Sequence, residues 1–255
     1  MTYCVGLLVK EGLVMLADTR TNAGIDNIST YRKLRVFGEE GKRVIAIASG
    51  GSLSTTQALI HRLQEGVSID DGPPEFIETA PSMFRVAQLV GNAMVEAKGQ
   101  IERTIDKGAM AEGDVKIGVT LLVGGSIAGR APRLFMIYGE GNFIECGMDT
   151  PYFQIGELKY GKPILDRMLT YKTPLAKAMK IGLLSMNSTM RSNLSVGLPI
   201  DMLIVRPGQS VTAMHRIEEA DRYYNDLSDG WVSALGAALE NIPEPPYALP
   251  GPTFD

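Results

Sequence analysis

Short apolar runs separated by turn residues make up the start of the chain. Residues 3–9 and 13–17 are aliphatic runs on either side of Lys10-Glu11-Gly12, a pattern that predicts a β-hairpin. Residues 44–48 form a third apolar run that is followed by Ser49-Gly50-Gly51, so we expect a buried strand ending in a glycine turn. The chain therefore begins with β-structure.

Helical spacing follows this glycine turn. Apolar side chains recur at helical intervals after Ser52, and either Ser52 or Ser54 suits the N-cap of the helix. Residues 70–75 are rich in Pro, Gly and acidic residues, which predicts a loop, and a second helix is predicted from about Pro81.

Strands and helices then alternate in blocks. We expect a strand meander in residues 117–146, helices in 162–169 and 174–187, and two closing strands near 200–205 and 210–213. This order favours an α+β fold in which two mainly antiparallel sheets pack face to face, with helices on both outer faces.

Composition and charge are those of a globular protein that is not expected to bind nucleic acid or membranes. The 255 residues are 45% hydrophobic and 21% charged, which is typical of a globular chain, and no linker divides residues 1–216, which are predicted as one domain. Residues 217–255 are predicted as a C-terminal helix and Pro-rich tail of that domain. A net charge of −4 argues against nucleic acid and anionic membranes as partners. We expect a cytoplasmic protein, since neither a secretory signal nor a bilayer-long apolar run is visible.

Cysteine and histidine chemistry is not expected. The two cysteines, Cys4 and Cys146, cannot form a disulfide framework, and His61 and His215 lack metal-ligand spacing. Any hydrolytic chemistry would therefore use residues other than histidine.

Candidate chemistry lies at the start of the chain. A two-residue hairpin turn places Thr2 opposite Thr19, whereas a three-residue turn places it opposite Arg20. Either register leaves Asp18 within two positions of Thr2. Removal of Met1 would expose Thr2 as a free N-terminus, whose hydroxyl could act as a nucleophile and whose α-amine could act as its base.

Other residues could complete a site for acyl transfer. An ammonium group near Thr2 would lower the pKa of its hydroxyl and amine, and a carboxylate would hold that ammonium in place; Lys33 and Asp18 are the candidates. A glycine-rich turn before a helix offers unhindered backbone N–H groups to a developing oxyanion, and Gly50 is the predicted donor.

The same residues resemble the active-site framework of proteasome β-type subunits and the bacterial HslV peptidase. Thr2, Asp18 within Ala17-Asp-Thr-Arg20, Lys33, and Gly50 within Ala48-Ser-Gly-Gly51 follow one another in that family's order. The chain is similar in particular to the bacterial proteasome-like family called Anbu, the ancestral β-subunit. That likeness is carried by residues 2–6, 26–30, 156–166 and 188–201.

The resemblance implies a four-layer αββα sandwich, the N-terminal-nucleophile hydrolase fold. It implies a homo-oligomeric ring or spiral that acts on peptide or unfolded protein, and no metal or organic cofactor. Whether an unfoldase also binds is left open by the sequence. The family roles would be Thr2 as nucleophile and base, Asp18 orienting Lys33, Lys33 tuning the pKa of Thr2, and the Gly50 N–H in the oxyanion hole.

The sequence departs from the family pattern around the N-terminal amine. Gly156-Glu157-Leu158 stands where the family has a Gly-Ser-Gly stretch, and Asn187 stands where it has an Asp, with Ser188 or Ser192 as substitutes for a following Ser. Weak or highly selective activity is therefore expected. By analogy, the pocket for the residue before the scissile bond would be lined by Thr21, Tyr31, Ala48 and Ser52.

Three functions are compatible with these features. The leading hypothesis is a proteasome-type threonine peptidase. The second is an N-terminal-nucleophile amidase that acts on a small amide, and the third is a non-catalytic self-assembling subunit.

Overall fold

The computed structural model of the chain describes residues 1–22, 28–39, 41–70, 72–107, 117–127, 129–208 and 213–247. The chain divides into two compact units, Met1–Glu219 and Ala220–Asp255, which are described separately. Among the described residues, no helix has the length and apolar character needed to cross a membrane.

Of the elements in the described residues, the first unit contains the strands and four helices. Its strands in chain order are β1 (Tyr3–Val9), β2 (Gly12–Asp18), β3 (Arg20–Asn22), β4 (Ile28–Thr30), β5 (Leu34–Phe37), β6 (Arg43–Gly51), β7 (Val119–Ile127), β8 (Arg133–Ile137), β9 (Phe143–Glu145), β10 (Tyr152–Gly156), β11 (Ile200–Val205) and β12 (Ala213–Ile217). Its helices are α1 (Leu53–Glu65), α2 (Met83–Lys107), α3 (Lys162–Met168) and α4 (Leu175–Ser192). The second unit contains α5 (Arg222–Glu240).

Two five-stranded antiparallel sheets form the centre of the first unit. One has the order β10-β1-β2-β11-β12 and the other has the order β5-β6-β7-β8-β9, while β3 and β4 form a separate two-stranded ribbon. Val9 pairs with Gly12, so the opening hairpin has the two-residue turn that was one of the two predicted registers.

Apolar side chains are buried between the two sheets and between each sheet and the helices that cover it. Between the sheets, side chains of β1, β2 and β11 pack against side chains of β6, β7 and β8, including Met15, Leu203, Ala46 and Leu134. Helices α1 and α2 cover the outer face of the second sheet, and α4 contacts β1 and β2 of the first sheet. This arrangement confirms the predicted α+β fold with four layers in the order αββα.

The predicted turn at Ser49-Gly50-Gly51 is wrong, because β6 continues through all three residues. Gly50 pairs with Thr120 and Gly51 pairs with Val119 on β7. Gly51 has a φ of 117°. A Cβ placed on Gly51 would lie 2.1 Å from the backbone oxygen of Gly118, the residue just before β7. Glycine therefore permits the strand to continue where a larger residue would clash.

Other boundaries also differ from the predictions. Helix α4 runs to Ser192 rather than to residue 187. Of the two predicted N-cap residues of α1, Ser52 is the one that caps the helix, by accepting a hydrogen bond from the Thr55 N–H at 3.3 Å. The closing strand that was predicted at residues 210–213 lies mostly outside the described residues, and β12 is described from Ala213. Strands β3, β4, β5 and β10 were not predicted, because they are short and lack an alternating pattern.

The spacing of the two sheets generates a first prediction. A Cβ placed on Gly6 would lie 2.9 Å from two methyl carbons of the fully buried Leu134, so Gly6→Ala should overpack this contact and destabilise the fold by about 1–3 kcal/mol. Leu134→Ala should cost about 2–5 kcal/mol through the cavity it leaves. In the double variant the added methyl group partly fills that cavity. Urea unfolding should therefore give a double-variant loss smaller than the sum of the single losses; a strictly additive loss would contradict this packing.

Candidate active site

The opening hairpin brings the first residues of the chain to the buried carboxylate of Asp18. Asp18 is the last residue of β2 and is completely buried. Its Oδ1 atom accepts a hydrogen bond from the Tyr3 backbone N–H at 2.9 Å. That nitrogen forms the peptide bond to Thr2, so the carboxylate fixes the backbone directly beside Thr2.

Lys33 lies against the same carboxylate. Its Nζ donates to Asp18 Oδ1 at 2.7 Å and to the Arg20 carbonyl oxygen at 2.6 Å, and only 5% of the residue is exposed. One oxygen atom of Asp18 thus bridges the Lys33 ammonium and the Tyr3 amide. The backbone of Lys33 is also held, because its carbonyl oxygen accepts a hydrogen bond from the Ser49 N–H at 3.1 Å.

Burial and charge act in opposite directions on Asp18. Desolvation raises the pKa of its carboxyl, and it outweighs the Lys33 ammonium and the backbone N–H groups of Tyr3 and Gly197, which favour the ionised form. An ion pair removed from water in this way is stable only while both partners are present. The position of each charged group therefore depends on the other.

Thr2 is half-buried and lies between two glycines. A methyl group placed on Gly50 would lie 3.6 Å from Thr2 Cγ2, so the Gly50 backbone approaches the Thr2 side chain closely. Strand β5 pairs with β6 only as far as Ala48. Among the described residues, the contact at this edge continues for one more residue, through the bond from the Ser49 N–H to the Lys33 carbonyl oxygen.

The carbonyl side of Thr2 is held by the end of β10. Its oxygen accepts a hydrogen bond from the Glu157 N–H at 2.7 Å, and a Cβ on Gly156 would lie only 2.0 Å from the same oxygen. Gly156 has a φ of 86°, a conformation that favours glycine. Glycine at position 156 therefore permits the close contact that fixes Thr2.

The carboxylate of Glu157 ties this loop to the end of α4. Its oxygens accept hydrogen bonds from the Lys159 N–H and from Asn193 Nδ2, both at 2.9 Å. Burial alone would raise the pKa of Glu157, but these donors and the Leu158 N–H together hold it below its ordinary value. Glu157 is therefore a charged residue at neutral pH, and its own backbone N–H binds the Thr2 carbonyl oxygen.

A second buried carboxylate lies next to the Lys33 segment. Asp201 is completely buried, and its oxygens lie 3.4 Å from Arg216 Nε and 3.7 Å from Arg32 Nε. Asp201 pairs with Ala17 in the sheet, and Arg32 directly precedes Lys33. Attraction between Asp201 and Arg32 therefore draws the segment that carries Lys33 toward the end of β2.

The buried thiol of Cys4 is close to the site but is not an activated nucleophile. Desolvation raises the pKa of this thiol well above its ordinary value, and the nearby Asp18 carboxylate raises it further. The thiol is therefore protonated at neutral pH, whereas a reactive cysteine requires the thiolate. The Thr2 hydroxyl remains the candidate nucleophile at this end of the chain.

The structure brings some of the predicted site residues together and places others on helix α4. Thr2, Asp18, Lys33 and Gly50 form one cluster. Asn187 is buried within α4, whereas Ser192 is exposed at the end of that helix.

Two further side chains from the α4 region, those of Ser185 and Asn193, contact the residues on either side of the site. Ser185 Oγ lies 2.6 Å from the Tyr3 hydroxyl, and Asn193 binds Glu157. These contacts join residues that are far apart in the sequence, so a local pattern could not reveal them. The one feature of the sequence that pointed to these contacts was the charged residue at position 157, where the family has a serine.

The two histidines, His61 and His215, are both exposed.

The buried ion pair generates a second prediction. Asp18→Asn leaves the Lys33 ammonium buried without a counter-charge, so it should lower the free energy of unfolding by about 3–5 kcal/mol. In the double variant with Lys33→Met no unpaired charge remains, and the loss should be smaller than in Asp18→Asn alone. Chemical denaturation measures both variants. A double variant that is less stable than Asp18→Asn would contradict this account.

The Glu157 carboxylate generates a third prediction, on pH. Because its pKa in the folded state lies below its unfolded value, its contribution to stability is present above an unfolded pKa of about 4.3 and is lost as pH falls through the folded pKa. Asn193→Ala removes one donor and should cost about 1.5 kcal/mol at pH 7. Urea unfolding should show this difference shrinking below about pH 4, whereas a difference that grows in acid would contradict it.

Solved structures of Anbu proteins are similar to almost the whole chain. An Anbu (Gly-1) mutant from Hyphomicrobium sp. strain MC1 is 44% identical with a TM-score of 0.84, and the match covers 96% of this chain and 99% of that chain. Anbu (ancestral beta-subunit) from Yersinia bercovieri is 42% identical with a TM-score of 0.84, and the match covers 95% and 99%. A chain in the helical assembly of the Anbu complex from Pseudomonas aeruginosa is 39% identical with a TM-score of 0.86, covering 96% and 98%.

No protein-family model and no curated protein matches the chain. The structural relatives nevertheless share 39% or more of their residues with it across nearly all of its length, and the same framework from Thr2 to Gly50 carried the resemblance in the sequence. The chain therefore belongs to the Anbu family of proteasome-like β subunits.

Proposed function

We propose that this chain is a threonine-type peptidase whose nucleophile is Thr2, exposed by removal of Met1. The observation that carries the proposal is the buried Lys33–Asp18 pair, which shares one carboxylate oxygen with the amide next to Thr2. A positive group held this close to the N-terminus favours the deprotonated form of an adjacent amine or hydroxyl. That property is what an N-terminal nucleophile requires near neutral pH.

The reaction would proceed through an acyl-enzyme. The Thr2 hydroxyl oxygen attacks the peptide carbonyl carbon while the α-amine of Thr2 takes the hydroxyl proton. The Gly50 N–H stabilises the negative oxygen that forms, and the amine then gives its proton to the departing peptide nitrogen. Water, deprotonated by the same amine, attacks the ester, which releases the acid product and restores the Thr2 hydroxyl.

The surrounding contacts support this assignment of roles. Asp18 fixes both Lys33 and the Tyr3 amide, and Glu157 and Gly156 hold the Thr2 carbonyl. Both faces of the Thr2 backbone are thus positioned by buried groups, so the hydroxyl has a defined place beside Gly50. Positioning of this kind lowers the entropy that must be lost in the transition state.

We also propose that the chain assembles with copies of itself. The relative from Pseudomonas aeruginosa was solved as a helical assembly, and the match to it covers 96% of this chain. An open helical arrangement requires a heterologous contact, in which two different surfaces of each copy meet.

Covalent labelling tests the peptidase proposal. Intact-mass measurement should show loss of Met1, and a peptide vinyl sulfone or epoxyketone should add to Thr2. Thr2→Val, which replaces the hydroxyl with a methyl group of similar size, should lower labelling at least a thousandfold, since it removes the nucleophile. Thr79→Val, at an exposed loop threonine, is the matched control and should label as the wild type does.

Two outcomes would contradict the peptidase proposal. A chain that retains Met1 and resists every probe would favour the non-catalytic assembly subunit. A chain that labels at Thr2 and hydrolyses small amides, but leaves an unfolded protein uncut, would favour the amidase.

A further inference from the structure

A cavity of about 450 Å³ begins beside Thr2 and lies between β10 and strands β6, β7 and β8. Gly50 and Gly156 are among its lining residues, and both approach Thr2: Gly50 faces Thr2 Cγ2, and Gly156 lies against the Thr2 carbonyl oxygen. The cavity and Thr2 therefore share two neighbouring residues, so a substrate held at Thr2 would pass beside the cavity.

The walls of this cavity are largely apolar and carry no charge. Met136, Ile155 and Leu158 contribute apolar side chains, and the neutral polar groups come from Thr120, Tyr138 and Gln154. No charged side chain of the described residues lines it. Leu158 is half-exposed, which places the cavity within reach of solvent.

The size of the cavity suits part of a peptide. Its volume falls within the range of about 300–1,000 Å³ that is typical of small-molecule sites, so a bulky side chain and its adjoining backbone would fit. An aliphatic or aromatic side chain would gain by leaving water, whereas a carboxylate or ammonium would lose its hydration without an opposite charge in the described lining.

This cavity is separate from the pocket that the family resemblance implied. None of Thr21, Tyr31, Ala48 and Ser52 lines it, and Ala48 is completely buried between the sheets. A peptide bound at Thr2 would therefore meet the cavity with a different part of its chain.

We propose that this cavity is a substrate subsite that binds a bulky, uncharged apolar side chain within two residues of the bond that Thr2 attacks. The inference rests on the proposed peptidase function and deepens it, because it names a substrate class: peptides with an aliphatic or aromatic residue at that position, in preference to Asp, Glu, Lys or Arg.

Leu158→Glu is the variant that tests the subsite. The substitution places a carboxylate on a half-exposed wall, so it changes the charge of the cavity without removing a buried core residue. Met168→Glu is the matched control, since Met168 is an exposed apolar residue of α3 that does not line the cavity.

The first measurement compares two vinyl sulfone peptides that differ only in one residue, phenylalanine or alanine, scanned through the positions around the electrophile. In the wild type, one position should favour phenylalanine in the rate of Thr2 labelling. Leu158→Glu should lower that phenylalanine-to-alanine ratio at least tenfold, while Met168→Glu keeps the wild-type ratio. An unchanged ratio in Leu158→Glu would overturn the subsite proposal and leave the peptidase proposal standing.

A second measurement does not depend on catalysis. Fluorescent peptides with Phe, Glu or Lys at each position are titrated against Thr2→Ala, alone and combined with Leu158→Glu. Thr2→Ala should bind the Phe peptide at least tenfold more tightly than the Glu peptide, and Leu158→Glu should shift the preference toward Lys. Equal binding of all three peptides to Thr2→Ala would overturn the subsite proposal, even if the wild type is labelled normally. Selective binding to Thr2→Ala, together with no labelling of the wild type, would instead contradict the peptidase proposal.

Discussion

The ion pair between Lys33 and Asp18 is the interaction on which the organisation of the site depends. Both side chains are almost fully removed from water, and the oxygen that accepts from Lys33 Nζ also accepts from the Tyr3 amide. A buried ion pair is not by itself strong evidence for stability, because desolvation offsets much of the Coulomb attraction. What it gives this fold is position: the first residues of β1, the end of β2 and the start of β5 meet at one carboxylate.

The two-sheet architecture explains why such a pair can exist. The opening hairpin supplies Asp18 and the neighbourhood of Thr2 from one sheet, while Lys33 enters at the beginning of a strand in the other sheet. Close packing between the sheets excludes water and also fixes the glycine backbone of β6 against Thr2. The same packing that stabilises the fold therefore sets the geometry of the site, and the cavity beside Thr2 lies where β10 and the second sheet diverge.

Local chemistry in the sequence predicted the parts of this arrangement that depend on short-range rules. The hairpin and its register follow from two apolar runs and a short turn, so the approach of Asp18 to Thr2 could be predicted. Lys33 lies in a charged stretch without periodicity, and it was a candidate because an ammonium near Thr2 would lower the pKa of the Thr2 hydroxyl and amine; the family resemblance implied the same role. The glycines at 50 and 51 were predicted as a turn because glycine commonly ends strands, but pairing with β7 overrides that local preference.

Contacts between distant segments could not be predicted. The bond between Tyr3 and Ser185 joins residues 182 positions apart, and Glu157 reaches Asn193 only because α4 extends past its predicted end. Asp201 gives no local sign that it lies beside Arg32. Tyr3, Ser185, Glu157 and Asp201 are buried by tertiary packing, and such packing is not encoded in the spacing of neighbouring residues.

The most direct test of the account is the rate of Thr2 acylation as a function of pH. If the Thr2 amine is the base and the Lys33 ammonium lies beside it, the rate should rise with deprotonation of the amine and level off with an apparent pKa below the ordinary value of about 8. A rate that keeps rising through pH 9 without an inflection would show that no such amine titrates in the site, and the role assigned to the buried ion pair would be wrong.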